Sequence, residues 1–127
     1  MVDSKVLALI QRGVEISCPQ SVEIDAEIDP QRISPAGVRI HTGCRILGRD
    51  TLIASGARIG TEGPATVENC FVGPGVELKS GYFKGAVFLE KASLGYASHI
   101  REGTILEEQA STAHCVGLKQ TILLPFV

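Results

Sequence analysis

Residues 88–106 read FLEKASLGYASHIREGTIL, and within them Phe88, Leu94, Ile100 and Leu106 stand six apart. That period excludes an amphipathic helix, which needs apolar residues at i, i+3, i+4 and i+7, and a hairpin sheet, which needs longer alternating runs between turns. Counting onward in sixes reaches Thr112, Leu118 and Leu124; counting from Ile16 finds Val22, Ile28, Ile40, Ile46 and Leu52, with Ser34 as the break. Four places after many of these aliphatics comes a small or modest side chain, as at Ala26, Cys44, Ser98, Thr104, Ala110 and Val116. Six residues make a short strand and a corner, with the aliphatic turned inward from mid-strand and the small residue fitted to the corner. Three such sides close a triangular turn of about 18 residues that bonds only to the turns on either side of it. The expected fold is therefore all-β, a parallel β-helix of hexapeptide repeats spanning residues 14–127.

Between Arg58 and Ala86 the phase slips, with Ile59, Val67, Val72 and Leu78 as the inward residues. Loops are expected to bulge at Gly60–Pro64 and Ser80–Gly85, where Gly and Pro gather. Upstream, Asp3 or Ser4 caps a short helix through Val6, Leu7, Leu9 and Ile10 that stops at Gly13. Residues 1–13 would then cover the open first turn.

The bulk composition agrees with repetition. With 127 residues the chain is sized for one domain, and its 44% hydrophobic but only 5% aromatic content, with no Trp, calls for a core of similar aliphatic side chains. The net charge of -2, from 12 basic and 14 acidic residues scattered along the chain, offers no footprint for nucleic acid or an anionic membrane. No apolar run approaches the ~20 residues of a membrane span, and the start lacks the apolar core of a secretory signal. Cys18, Cys44, Cys70 and Cys115 lie far apart with no Cys-x-x-Cys pair, so buried reduced thiols and a cytoplasmic location are expected.

Residues 18 apart should stack in outward columns. One such column, Val87, Ile105 and Leu123, is apolar on a surface where polar groups would cost nothing, and is expected to join identical copies. The adjacent face carries Gly81 and Phe83, then His99 and Arg101, then Gly117 and Lys119. Arg101 and Lys119 beside glycines read as a substrate subsite for phosphate or pyrophosphate, or as an ordinary solvated face. Tyr96 should lie beneath His114 at a corner. An imidazole near a subunit seam suits general-base chemistry, so His99 and His114 are the catalytic candidates, although a lone histidine is more often structural. Glu107 and Glu108 either orient one of them or are simply solvated. His41, His99 and His114 lack the turn-matched spacing of a three-histidine metal site, and no metal is expected.

The hexad pattern, together with Arg12-Gly-Val-Glu-Ile-Ser-Cys-Pro (12–19) and Gly81-Tyr-Phe-Lys-Gly-Ala-Val-Phe-Leu (81–89), resembles bacterial proteins related to UDP-N-acetylglucosamine pyrophosphorylase. The segment His99–Glu108 and the tail Val116–Val127 carry the resemblance further. It implies a left-handed coil attached to sugar-nucleotide chemistry. Within that likeness the chain is expected to be the β-helix domain of a UDP-N-acetylglucosamine pyrophosphorylase-like nucleotidyltransferase, serving assembly and part of a substrate site. The alternatives are an acetyltransferase of the same fold using acetyl-CoA, and a non-catalytic trimerisation scaffold. No Gly-rich phosphate loop follows a strand here, and Gly73-Pro-Gly75 reads as a corner, so the uridylyl-transfer site is expected to lie outside this chain. Relatives run on past the position of Val127. A fragment ending on an apolar edge from Leu123 to Val127 is the expectation.

Overall fold

The computed structural model describes residues 3–125. It is a parallel β-solenoid of about six turns preceded by one helix, in agreement with the fold expected from the sixes. Three sheets run along the axis. The first contains Glu15–Ile16, Arg39–Ile40, Arg58–Ile59, Glu77–Leu78 and Ser93–Leu94; the second Glu23–Ile24, Arg45–Leu47, Ala65–Glu68, Gly81–Lys84, Ser98–Ile100 and Gly117–Leu118; the third Leu52–Ile53, Phe71–Val72, Val87–Phe88, Ile105–Leu106 and Ile122–Leu123. Every pairing is parallel, and each strand bonds to the equivalent strand one turn away. Most strands are only two residues long, because the chain must turn a corner before a third inward position arises.

The corners explain the period. In a full hexad the third residue after the inward aliphatic takes a left-handed conformation, the fourth is small and buried, and the sixth is the next inward side chain. After Ile40 these are Gly43 (φ 78), Cys44 and Ile46; after Leu94 they are Ala97 (φ 59), Ser98 and Ile100. Among the described residues seven that are not glycine take a left-handed conformation, and Lys91, Ala97 and Gln109 do so at this third place. A left-handed L-residue costs roughly 1–2 kcal/mol, so the stacked strands must outweigh it at each site.

Inside, the inward side chains form three stacks whose successive members stand one turn apart. Ile40, Ile59, Leu78 and Leu94 fill the first sheet's side, Ile46, Val67, Phe83 and Ile100 the second's, and Ile53, Val72, Phe88 and Leu106 the third's. Phe83 and Phe88 meet edge to face at 5.9 Å in the fourth turn. A turn that tight accepts two aromatics because their neighbours at the corners, Ala86 and Ala92, are small.

The turns are not uniform, and this corrects several assignments made at a constant spacing. The first turn is long, Ile16 pairing with Ile40, since it takes in two short helical turns at Pro19–Ser21 and Pro30–Arg32. There Ile24 and Ile33 are the inward residues rather than Val22 and the Ser34 position; Val22 is buried at a corner and Ala26 is exposed. In the second turn Ile53, not Leu52, points inward. Gly60–Pro64 does leave the coil as a loop, but Ser80–Gly85 does not bulge: Gly81–Lys84 is one of the longest strands and Phe83 is fully buried. At the far end Leu123 pairs with Leu106 and faces inward, whereas Leu124 is exposed. Phe126 and Val127, part of the expected apolar edge, lie outside the described residues.

The helix, α1 (Ser4–Arg12), follows its sequence signals. The Asp3 carboxylate accepts from the Lys5 N–H at 2.9 Å, and Gly13 closes the helix at φ 118 with its N–H on the Ile10 carbonyl. Val6 and Leu9 are fully buried against the first turn. Lys5 and Arg12 donate to the carbonyls of Ile28 and of Pro30, tying the helix to the coil at two further points.

Candidate functional site

Burial inside a solenoid leaves its chemistry to the outward columns. On the first sheet the outward column begins Glu15, Arg39, Arg58, Glu77, and its members pair: Arg39 to Glu15 and Arg58 to Glu77, each at 3.2 Å. On the second sheet Glu23 and Arg45 pair likewise at 3.2 Å. The pairs in the early turns satisfy one another, and the two that are exposed on both sides, Arg39 with Glu15 and Arg45 with Glu23, contribute little stability.

The late turns of the second sheet differ. Tyr82, His99 and Gly117 stand in one outward column. The rings of Tyr82 and His99 stack with centroids 5.2 Å apart and planes 23° apart. Beside them Arg101, whose N–H donates to the Leu118 carbonyl at 2.8 Å, is in register with Lys119, and Lys84 continues the register that pairs Phe83 with Ile100. Lys84, Arg101 and Lys119 therefore form a cationic column of three. Glu102, from the corner, lies 3.7 Å from Lys84 and 3.7 Å from Arg101. Its carboxyl is held below the ordinary value by a backbone hydrogen bond first and then by Arg101, Lys84 and Lys119. Lys119 makes no ion pair among the described residues.

Arg101 and Lys119 thus share a column, as the constant spacing had suggested. The same spacing put Gly81 and Phe83 on this face; the real turn there is one residue shorter, so Tyr82 and Lys84 occupy those positions and Phe83 turns inward. Sequence reading missed both residues for that reason. His99 sits mid-strand on the second sheet, while His114 lies in the corner that leads to Gly117–Leu118. Both are exposed, and among the described residues no side-chain hydrogen bond joins either imidazole to a carboxylate. Glu107 and Glu108 belong to the corner after Ile105–Leu106, on the third sheet's side, and do not share the His99 face.

The third sheet carries the apolar column, with one member replaced. Val87 stacks on Ile105 as expected, but Ile105 is in register with Ile122, because only five residues separate the inward Leu118 from Leu123. The column also extends the other way through Phe71 to Leu52. Phe71 is 38% and Ile122 60% exposed. The expectation for the cysteines divides similarly. Cys44 and Cys70 are buried at corners and Cys70 is pushed up to about 11 by desolvation, whereas Cys18 and Cys115 occupy left-handed corner positions with their side chains exposed.

Compared with known proteins, the chain is 29% identical over 118 residues, 92% of its length, to the bifunctional protein GlmU of Trichlorobacter lovleyi. It is 30% identical over 119 residues, 93% of its length, to the bifunctional protein GlmU of Nitratidesulfovibrio vulgaris. The chain is a hexapeptide-repeat β-helix similar in sequence to the GlmU proteins. The resemblance drawn from residues 12–19 and 81–89 is thereby borne out. The chain spans 24% and 25% of the length of these relatives. No family model matches the chain, and no solved structure matches it significantly. No helix among the described residues is long and apolar enough to cross a membrane.

Proposed function

We propose that the chain is the β-helical part of a sugar-nucleotide transferase and that its work is assembly: it holds copies side by side along the third sheet. The observation that carries this is the outward column Leu52, Phe71, Val87, Ile105 and Ile122, five apolar side chains in register, where the outward columns of the other two sheets begin with charged pairs. Such a stripe is stabilised when another copy removes it from water. Relatedness to the GlmU proteins over nearly the whole chain supports the sugar-nucleotide connection. The four unpaired cysteines support a cytoplasmic setting. Light scattering of the eluting protein tests the assembly: the native chain should weigh a multiple of 13.5 kDa, and Ile105→Glu should reduce it to one copy. An Ile105→Glu protein of unchanged mass would remove that seam. Uridylyl transfer from UTP to a sugar phosphate is assigned to sequence outside this chain, so robust turnover by the 127 residues alone would refute that assignment.

A second reading is favoured by the cationic column. In it the chain transfers an acetyl group from acetyl-CoA to an amino sugar, Arg101 and Lys119 hold phosphates, and His99 or His114 is the general base. Replacing both histidines by Ala should then abolish acetylation; retained acetylation would exclude both as bases.

A further inference from the structure

Thirteen of the chain's 14 glycines have either a positive φ or a position where an added Cβ would come within 3.3 Å of a neighbour. Gly117 has neither property. A Cβ there would meet only the His99 carbonyl oxygen, at an ordinary 3.7 Å. Glycine in a strand loses conformational entropy on folding and packs nothing, so neither backbone nor space accounts for it. Its effect is on the column. Tyr82 covers one face of the His99 ring, and the other face looks along the axis to the position where residue 117 has no side chain. That open ring face adjoins Arg101 and Lys119, and Lys119 has no carboxylate partner among the described residues.

A flat uncovered ring beside Arg101, which shares the Glu102 carboxylate with Lys84, and Lys119, which has no ion-pair partner among the described residues, matches a ligand that is aromatic at one end and anionic at the other. We propose that the space over Gly117 is a nucleotide subsite, in which a nucleobase stacks on His99 and the diphosphate lies against Lys119 and Arg101. Every nucleobase has a π-face, so the stack accepts purine or pyrimidine, and the fork of Arg101 with the point charge of Lys119 suits a diphosphate. Tyr82 backs the imidazole and fixes its plane. The subsite is independent of the assembly reading, because it lies on the second sheet and the apolar column on the third, so the two tests fail separately.

Calorimetric titration of the 127-residue chain with ADP, UDP and inorganic pyrophosphate separates base from phosphate recognition. ADP, UDP or both should bind at least about tenfold more tightly than pyrophosphate, the gain expected from one stacked base. Gly117→Val should bring nucleotides down to the pyrophosphate level while circular dichroism stays unchanged, and Lys119→Ala should weaken all three. His99→Ala, an exposed change, should abolish the preference as well, and serves if the valine variant does not fold. Nucleotides binding no tighter than pyrophosphate, no binding at millimolar concentration, or a tenfold preference surviving either Gly117→Val or His99→Ala would overturn the proposal.

Discussion

Two glycines one column apart should respond in opposite ways to the same methyl group. At Gly81 the φ of 129 lies outside the range of L-residues, and a Cβ would sit 1.9 Å from the Ser98 carbonyl oxygen and 2.8 Å from its backbone N and C. Relief is difficult, since the Gly81 N–H is bonded to the Pro64 carbonyl at 3.2 Å and the Ser98 N–H to the Ser80 carbonyl at 3.1 Å, so both strands are pinned on either side of the clash. The conformational penalty is about 1–2 kcal/mol. Forcing the two turns apart adds about 1–3 kcal/mol, as for other overpacked interiors. Gly81→Ala should therefore destabilise by roughly 2–5 kcal/mol, which for a chain of this size lowers the melting temperature by ~8–20 °C. Gly117→Ala meets ordinary contact and should be neutral or stabilising by up to ~1 kcal/mol. Thermal unfolding followed by circular dichroism reads both. A Gly81→Ala melting point within ~2 °C of the parent, or a Gly117→Ala loss of the same size as Gly81→Ala, would show that the stacking register in the last three turns is wrong.

Leu78→Ala removes a fully buried side chain from the first sheet's stack and should cost about 2–5 kcal/mol in denaturant unfolding. Thr104→Val replaces a buried hydroxyl that has no hydrogen-bond partner among the described residues, and should raise stability by about 1 kcal/mol; a loss would mean the hydroxyl is bonded after all. Cys18 and Cys115 should react with a thiol reagent in the native state, while Cys44 and Cys70, buried and with thiols shifted upward, should react only on unfolding. The Asp25 carboxyl is lowered from its ordinary 3.8 chiefly by the backbone N–H of Glu27 and then that of Gly48. A depressed carboxylate lends stability that is fully present above 3.8 and is lost as pH falls through the folded value, so Asp25→Asn should shrink the acid-side loss in a pH series of melting curves.

The fold was legible because two signals repeat together, the inward aliphatic and the small corner residue, and neither depends on turn length. Helix α1 was legible for a local reason: Asp3 and Gly13 carry their capping chemistry in their own side chains or lack of one. The columns were less legible, since stacking depends on how many residues each turn consumes. A corner of five residues, as between Phe83 and Phe88 or Leu118 and Leu123, still places a small residue two before the inward one, so the hexad rule reads through it without warning. Counting by 18 therefore kept Val87 beneath Ile105 and Arg101 beneath Lys119, where the turns hold 18 residues, and failed for Tyr82, Lys84 and Ile122, where they do not. Spacing from one small buried residue to the next, rather than a fixed period, would have shown the short turns.

Column stacking also sets what the surface charges mean. Neighbouring strands stand about 4.8 Å apart, so like charges in one column repel by roughly 1 kcal/mol per contact even in a water-like dielectric. The early turns relieve this by pairing: Arg39 meets Glu15, Arg45 meets Glu23 and Arg58 meets Glu77, so that Arg39 and Arg58, although in register with one another, each have a carboxylate on the far side. Lys84, Arg101 and Lys119 stand in one column over three successive turns, with Glu102 in ion-pair contact with the first two and acting on the third only from farther away. The repulsion is least relieved at Lys119, the same turn in which Gly117 withholds a side chain. A turn that forgoes both charge balance and strand packing at neighbouring positions is destabilised in the free chain, and an anion carrying a flat ring would relieve both deficits at once.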